Sequence, residues 1–225
     1  MKIKPIITGT TGMVGKGVLL ECLESDEVEA VLVINRKPLG MQHPKLKEIV
    51  HADFFDLSSI AAEMKGYDSC FFCLGVSSAG MPEKEYTRLT YDLTLAFAKT
   101  FIEQNPGSVF CYVSGTGTDS TEKGRVMWAR VKGRTENALL AMPFKAAYMF
   151  RPGFIEPMKG IRSGTRLYRN LYIALQPFFP VFRALPKYAT DTIHVGKAMI
   201  GVAVRGYEKK HLECQDINNL AKQTI

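Results

Sequence analysis

A glycine-rich turn between a predicted strand and a predicted helix is the feature that most constrains the fold of this chain. The apolar run that begins the sequence ends at Thr8, and the next seven residues are Gly-Thr-Thr-Gly-Met-Val-Gly, followed by helical periodicity. A strand, three glycines at this spacing and a helix together are typical of the first βα turn of a dinucleotide-binding domain. The predicted cofactor-binding residues of this turn are Gly9, Thr10, Thr11, Gly12, Met13, Val14 and Gly15.

Each of the three glycines has a separate physical role in such a turn. Gly9 permits the bend out of the strand, Gly12 lets a pyrophosphate approach the backbone, and Gly15 allows the helix to pack closely on the sheet. The N-terminus of the helix then offers free N–H groups to the anion. A P-loop is excluded, because no Gly-Lys-Ser/Thr follows.

The rest of the chain alternates between short apolar runs and longer helical segments, which is typical of βαβ units. We predict an α/β, three-layer Rossmann fold with a mostly parallel, doubly wound sheet of about seven strands and a small helical C-terminal insert. The predicted strands are 3–8, 30–35, 47–51, 69–74, 108–114, 146–151 and 210–214. The predicted helices are 13–24, 57–64, 83–104, 124–141 and 192–205, with Asp56 and Asp191 as N-caps and Gly206 as a C-terminal stop.

The length and composition of the chain suit one folded domain. A chain of 225 residues can bury one α/β core, and 46% hydrophobic with 23% charged residues excludes a disordered protein. We predict a single domain over residues 1–225. Within it, residues 155–190 break the alternation with two glycines and four prolines, so we expect an irregular helical insert there, on the substrate side.

The cysteines and the hydropathy pattern bear on the compartment. Five scattered cysteines are typical of reduced thiols, no export signal precedes the first strand, and no run is long enough for a membrane span. We therefore predict a cytoplasmic protein without a transmembrane segment. Cys70 and Cys73 have the spacing of a redox or zinc pair, but alternation along a strand puts their sulfurs on opposite faces, so we predict no metal site.

The end of the second predicted strand bears on which dinucleotide is bound. A domain selective for NAD(H) carries an acidic residue there for the ribose 2′-hydroxyl, but this strand ends Asn35-Arg36-Lys37. An arginine pairs with a 2′-phosphate and stacks on adenine, so Arg36, helped by Lys37, favours NADP(H) over NAD(H). A basic loop unrelated to any ligand is the alternative.

These motifs resemble those of atypical members of the short-chain dehydrogenase/reductase superfamily, similar to its Tat-interacting-protein branch and to epimerase/dehydratase-like proteins. The turn from Thr8 to Gly15 is similar to the TGATGxxG turn of that branch. The resemblance implies that Asp53 and Phe54 lie beside the adenine. It also implies that Leu74 and Gly75 lie beside the ribose of the cofactor.

The segment after the fifth strand resembles the superfamily's serine-containing segment, whose hydroxyl polarises a substrate carbonyl. The residues are Val-Ser-Gly-Thr-Gly from Val113 to Gly117. Either Ser114 or Thr116 supplies that hydroxyl if the resemblance holds, and Ser114 also contacts the cofactor. The alternative is that both hydroxyls only satisfy local backbone groups.

The segment from Trp128 to Gly133 resembles the superfamily's YxxxK helix, with a tryptophan in place of the tyrosine. An indole N–H donates a hydrogen bond but is no acid near neutral pH, whereas general acid catalysis contributes about 10²–10⁴-fold. Lys132 stays four residues from Trp128, on the same helical face, where the resemblance implies that it holds the nicotinamide ribose. We interpret Trp128 as an aromatic plug in the tyrosine's place.

The sixth predicted strand ends in a segment that resembles the superfamily's RPG motif, whose backbone lies against the nicotinamide carboxamide. Its predicted cofactor-binding residues are Pro152, Gly153 and Phe154. Proline and glycine also occur in any turn, so the motif adds to the others and carries little alone.

The insert has two further patterns. Arg162, Arg166 and Arg169 fall at helical spacing, which indicates a solvated basic face, or a site for a phosphorylated or carboxylated ligand or an anionic lipid. The apolar runs 171–175 and 178–182 suit peripheral contact with a membrane or a partner, and we favour a lid over the substrate pocket or a dimer contact.

Two functions are compatible with these residues. The first is an NADP(H)-dependent oxidoreductase or epimerase acting on a small carbonyl or hydroxyl substrate. The second is a catalytically weak or inactive NADP(H)-binding regulatory or interaction module. The net charge of +7 suits phosphates, and with no nucleic-acid motif legible we predict a small-molecule substrate, no nucleic-acid partner and a monomer or homodimer.

Overall fold

The structure is a computed structural model that describes residues 2–161, Phe179 and residues 185–224. Its strands are β1 (Pro5–Thr8), β2 (Val31–Asn35), β3 (Leu46–Val50), β4 (Ser69–Phe72), β5 (Val109–Val113), β6 (Ala146–Arg151), β7 (Phe154–Glu156), β8 (Ala189–Asp191) and β9 (His211–Glu213). Its α-helices are α1 (Met13–Glu24), α2 (Glu83–Thr87), α3 (Leu93–Gln104), α4 (Met127–Ala141), α5 (Thr192–Arg205) and α6 (Cys214–Gln223). A 3₁₀ helix covers Ser58–Met64 and a π-helical turn covers Arg88–Asp92.

Seven of these strands form one parallel sheet in the order β3-β2-β1-β4-β5-β6-β9. From β1 the chain proceeds outward through β2 to β3 and then returns to the other side of β1 with β4. Ligands of open α/β sheets bind outside the carboxyl ends of the strands at such a switch point. The predicted fold class is confirmed, and all seven predicted strands lie in this sheet.

The side chains of the sheet alternate between two cores, which explains why its strands are apolar without interruption. Ile7, Val33 and Phe71 pack with α1 and α5 on one face. On the opposite face, residues such as Ile6 and Phe72 pack with α3. Burial on both faces, rather than on one, is what a parallel sheet covered by helices requires.

The two closely spaced cysteines divide between the two cores as predicted. Cys70 lies in the α3-side core and Cys73 packs against the α1-side core. All five cysteines are free thiols. None of the described residues forms a helix long and apolar enough to cross a membrane.

The predicted caps of the fifth α-helix are confirmed. Asp191 Oδ1 accepts a hydrogen bond from the backbone N–H of His194 at 2.7 Å, which satisfies a donor of the first turn. Gly206 ends the helix with a φ of 73°, in the left-handed region that glycine adopts without strain. Helices α1 and α5 have the predicted bounds.

Two predicted helices differ in detail. Residues 57–64 form a 3₁₀ helix that begins at Ser58, because so short a segment gains few i→i+4 bonds to offset nucleation. Asp56 does not cap it as predicted; its Oδ1 accepts the N–H of Ser58 at 2.9 Å in a local turn. The predicted helix 83–104 is interrupted by the π-helical turn, and helix α6 was not predicted.

The two ends of the predicted insert, residues 155–190, are strands, which the sequence did not predict. Strand β7 pairs in parallel with β8, with Phe154 opposite Ala189 and Glu156 opposite Asp191. Three-residue strands are too short to show a period, and the pairing joins residues about 35 positions apart, so local sequence carries no signal for it. The predicted basic face at Arg162, Arg166 and Arg169 lies outside the described residues, as do the apolar runs apart from Phe179.

Candidate nucleotide-binding and catalytic site

The glycine turn is tightly packed against the end of β4. Gly9 has a φ of 72°, and a Cβ there would lie 2.7 Å from the carbonyl carbon of Cys73. A Cβ on Gly15 would lie 2.4 Å from the carbonyl oxygen of Gly9. Both distances exclude a side chain, so glycine at these two positions is what brings the turn, the helix and β4 together.

Gly12 is less tightly packed than the other two glycines. Its N–H donates to the Gly9 carbonyl at 2.9 Å, and a Cβ would lie 3.2 Å from that oxygen, a close contact that a small shift relieves. Helix α1 begins at the next residue, Met13, and neither a side-chain cap nor an acidic residue occupies its first turn. The first N–H groups of the helix, including those of Met13 and Val14, therefore have no side-chain acceptor.

A cavity of about 390 Å³ lies beside this turn at the carboxyl ends of the first four strands. The structure thus brings together the turn, the basic residues after β2, and residues after β3 and β4. The lining residues in the described part of the chain include two cations and no carboxylate; they are Gly9, Thr11, Ile34, Asn35, Arg36, Lys37, Phe54 and Leu74.

Six of the eighteen predicted cofactor-binding residues line this cavity, and Thr10, Asp53 and Gly75 are among those that do not. Thr10 is buried, and its hydroxyl pairs with the side-chain amide of Asn35, 2.8 Å from Oγ1 to Nδ2. Asp53 is exposed, and its Oδ1 accepts the N–H of Phe55 at 2.8 Å. Gly75 follows the lining residue Leu74 and is open on its Cβ side.

The two candidate hydroxyls after β5 have different surroundings. Ser114 is buried, and its Oγ lies 2.5 Å from Glu136 Oε1 and 3.1 Å from the Phe150 carbonyl oxygen. Thr116 is exposed, and its Oγ1 lies 3.1 Å from Glu213 Oε2. Ser114 therefore points into the protein, and Thr116 is the hydroxyl that reaches the surface.

Lys132 lies one turn after Trp128 on α4, and both side chains are half-buried. The ammonium of Lys132 donates to the backbone carbonyl of Ser114. Burial lowers the pKa of Lys132 to about 8, because removal from water disfavours the charged form, while the carboxylate of Glu136 opposes this shift. Trp128 lies beside Gly117, where a Cβ would be 3.6 Å from its Cη2.

A buried ion pair supports this site from behind. Glu136 is fully buried, and Oε1 accepts from Arg151 Nε at 3.0 Å while Oε2 pairs with Nη2. Arg151 Nη1 lies 3.7 Å from Glu213 Oε1. Arg151 thus connects Glu136, which accepts from Ser114, with Glu213, which accepts from Thr116. The Glu136–Arg151 pair also joins α4 to the end of β6.

The segment after β6 is held by its backbone. The Pro152 carbonyl accepts the N–H of Thr116 at 2.9 Å, and the Gly153 N–H donates to Cys214 Sγ at 3.0 Å. Phe154 lines a second cavity of about 270 Å³, with residues of β8, α5 and α6. The carbonyl of Pro152 thereby ties the segment after β6 to the segment that carries Thr116.

Sequence reasoning missed several residues that the structure places at the site. Glu136 follows Lys132 by four positions, so its helical face was a usable signal. The sequence indicated Asn35 only as a neighbour of the basic residues Arg36 and Lys37 at the end of β2. Glu48, which accepts a hydrogen bond from the loop after β2, had no local signal. Among the described residues, no group of three or more His, Cys, Asp or Glu side chains has a geometry that could hold a metal ion.

The chain is similar in sequence to fungal proteins named FMP52. It is 27% identical over 152 residues to protein fmp52-2, mitochondrial, of Aspergillus terreus, an alignment that covers 66% of each chain. It therefore spans just under two thirds of that relative's length. Identity to protein FMP52, mitochondrial, of Eremothecium gossypii is 26% over 230 residues, or 97% of each chain. No family model matches the chain.

These names overturn one prediction. A cytoplasmic location is wrong as an inference, because the relatives are named mitochondrial. The physical reason is that free, buried thiols indicate a reducing environment and do not distinguish between reducing compartments.

Solved structures with the same fold include dehydrogenases and epimerases. The ADP-L-glycero-D-manno-heptose-6-epimerase of Helicobacter pylori superposes with a TM-score of 0.66 at 14% identity, covering 99% of this chain and 82% of that one. WbmF of Bordetella bronchiseptica, solved in complex with NAD⁺, also gives 0.66 at 14% identity, covering 99% and 77%. The chain therefore has the Rossmann fold that these solved structures share, as the sequence predicted.

Proposed function

We propose that the protein binds NADP(H) across the carboxyl ends of its central strands and acts as an oxidoreductase or epimerase on a small carbonyl or hydroxyl substrate. The observation that carries this proposal is the cavity in which Arg36 and Lys37 stand beside the glycine turn without a lining carboxylate. Two cations suit a 2′-phosphate, and an NAD(H) site calls for an acid instead.

The pyrophosphate has a fitting cradle in the same turn. Gly12 leaves open the space that a side chain would occupy, and the uncapped first turn of α1 supplies N–H donors and a positive dipole end. Lys132 and Pro152, near the ends of β5 and β6, would then be the residues that hold the nicotinamide end.

The bound cofactor supplies hydride chemistry, and the chain's own residues position the substrate and move a proton. Thr116 is our candidate donor to a substrate oxygen, because its hydroxyl is exposed and would turn from Glu213 and the Arg151 carbonyl, whereas Ser114 is buried against Glu136. With the tyrosine replaced by Trp128, the Lys132 ammonium is the acid that remains on this face of α4. Its pKa of about 8 suits proton transfer near neutral pH.

Calorimetric titration with NADPH and NADH tests the binding proposal. Wild type should bind NADPH at least tenfold more tightly, and Arg36→Ala should remove most of that difference. Lys65→Ala, which removes an exposed cation away from the cavity, is the control and should change neither affinity. Equal affinities for the two cofactors in wild type would overturn the proposal.

NADPH oxidation with a panel of small carbonyl compounds tests turnover. Trp128→Tyr restores a phenol one turn before Lys132 and should raise the rate. A panel that leaves NADPH unchanged with both proteins would contradict enzymatic activity and leave binding standing.

A second function is favoured by Trp128 itself. A tryptophan in the place of the proton donor suits a module that binds NADP(H) without turnover. The surface that such a module offers to a partner protein would depend on whether the cofactor is bound. Limited proteolysis tests this alternative, because cofactor should protect the loop 76–82 and the segment 155–190. Unchanged cleavage at saturating NADPH would contradict it.

A further inference from the structure

Glu48 makes an unusual pair of contacts with the loop that carries Arg36 and Lys37. It lies on β3, next to β2, and is half-buried. One carboxylate oxygen, Oε1, accepts the backbone N–H of Leu39 at 2.8 Å and the side-chain Nδ2 of Asn35 at 3.2 Å. These two donors flank the basic residues on either side, so a single carboxylate closes the loop.

The same contacts extend to the glycine turn. Asn35 is 3% exposed and also pairs with the hydroxyl of Thr10, which is fully buried. A continuous series of hydrogen bonds therefore runs from Thr10 through Asn35 and Glu48 to the Leu39 N–H. Buried polar groups are costly to leave unpaired, so the series favours one shape of the loop relative to the turn.

Glu48 does not neutralise the cations that it holds in place. In the part of the chain that the structure describes, no ion pair includes Arg36 or Lys37. The carboxylate is bound to an amide and a backbone N–H instead. Both cations are thus left for a ligand, while the loop that carries them is fastened.

We propose that Glu48 is a positioning residue that sets selectivity for the 2′-phosphate by holding the loop 36–39 in its binding shape. This inference rests on the proposed NADP(H) site and adds to it a residue that touches no ligand. A preorganised loop binds more tightly because the ordering cost is met before the ligand arrives. The negative charge of Glu48 is unfavourable to a nearby phosphate, so its benefit comes from the hydrogen bonds alone.

Two substitutions separate the hydrogen bonds from the charge. Glu48→Ala removes the oxygen that accepts both hydrogen bonds, whereas Glu48→Gln keeps an amide oxygen that can accept from Leu39 and Asn35 and removes the charge. Glu63→Ala is the matched control, because Glu63 is an exposed glutamate that pairs with Lys47 at 2.8 Å. The probes are NADPH, NADH, 2′,5′-ADP and 5′-AMP, each titrated by calorimetry.

We expect Glu48→Ala to weaken NADPH and 2′,5′-ADP about tenfold, and NADH and 5′-AMP less than about threefold. Glu48→Gln should keep the wild-type affinity for NADPH or raise it. Glu63→Ala should change no affinity. The difference between the two Glu48 variants is a signature that general loss of structure would not produce.

Three results would overturn the inference. If both Glu48 variants weakened NADH as much as NADPH, Glu48 would be a ligand of the ribose hydroxyl. If Glu48→Ala bound all four probes like wild type, the loop would need no support. If wild type did not distinguish 2′,5′-ADP from 5′-AMP, the proposed NADP(H) site itself would fail, and with it this role.

Hydrogen exchange of the wild-type protein tests the contact even if Glu48→Ala does not fold. The Leu39 amide should exchange more slowly than an unprotected amide, and more slowly again with 2′,5′-ADP bound. Exchange at the rate of an unstructured peptide would show that Glu48 does not hold the loop.

Discussion

Replacing Glu136 by glutamine should destabilise the protein by about 3 kcal/mol, because it leaves Arg151 with too little opposing charge in a buried place. The carboxylate of Glu136 is fully buried, and the side chain of Arg151 is 13% exposed. Removing one partner of a buried pair typically costs about 3–5 kcal/mol. We take the lower end, because Glu213 lies 3.7 Å from Arg151 and offsets part of the lost charge.

Urea denaturation followed by the fluorescence of Trp128 measures this loss. Trp128 is the only tryptophan of the chain and lies on the same helix as Glu136. A loss of about 3 kcal/mol corresponds to a decrease in Tm of about 6–12 °C for a chain of this length. Circular dichroism should give the same transition if unfolding is two-state.

Two comparisons decide whether the ion pair is the cause. The double variant Glu136→Leu/Arg151→Met replaces both charges by apolar groups and should recover most of the lost stability. Glu29→Ala breaks an exposed pair with Lys4 and should cost less than about 1 kcal/mol. If Glu136→Gln were no more destabilising than Glu29→Ala, the reasoning would be refuted.

The remaining predictions concern the glycine turn, the lysine and a helix cap. Gly12→Ala should weaken NADPH binding at least tenfold, since its Cβ enters the pyrophosphate space, and should destabilise the fold by under about 1 kcal/mol. Gly15→Ala should also unfold more easily, because its Cβ meets the Gly9 carbonyl at 2.4 Å. Urea titration measures the loss of stability and calorimetry measures the loss of binding, so the two effects are separated. The pKa of Lys132 is about 8 in the folded protein against an ordinary 10.5, so folding stability should rise with pH between these values. NADPH affinity should fall above pH 8, where Lys132 loses its charge. Both effects should be absent in Lys132→Met. Asp191→Ala should cost about 1 kcal/mol in thermal unfolding by removing the cap of α5, and Asp191→Asn, which still caps, should cost much less.

Much of the fold and the nucleotide side of the candidate site were predictable from local sequence. A parallel strand covered on both faces is a short apolar run, and such runs identified all seven strands of the main sheet. The glycine turn was equally legible, because its shape depends on the missing Cβ of Gly9 and Gly15. The position of Arg36 followed from the position of the strand that it ends.

Other parts of the site were not predictable, because they depend on contacts between residues far apart in the chain. Sequence left Ser114 and Thr116 as alternatives, and only the packing of α4 and β6 shows that Ser114 turns inward to Glu136. The resemblance implies that Asp53 lies beside the adenine. Asp53 does not line the cavity, because its carboxylate is bonded within a local turn.

The sequence alone determined the class of fold and the glycine turn, and it is the basis for predicting a dinucleotide there and a tryptophan, Trp128, in the place of the usual proton donor. These features are encoded over a few neighbouring residues, by periodicity, by the absence of a Cβ and by the chemistry of one side chain. The tertiary structure decided which hydroxyl is exposed, how β7 meets β8, and that Glu48 and Glu136 hold the loop and the ion pair in place. Those features depend on side chains brought together from separate strands and helices, and no local pattern records such a meeting.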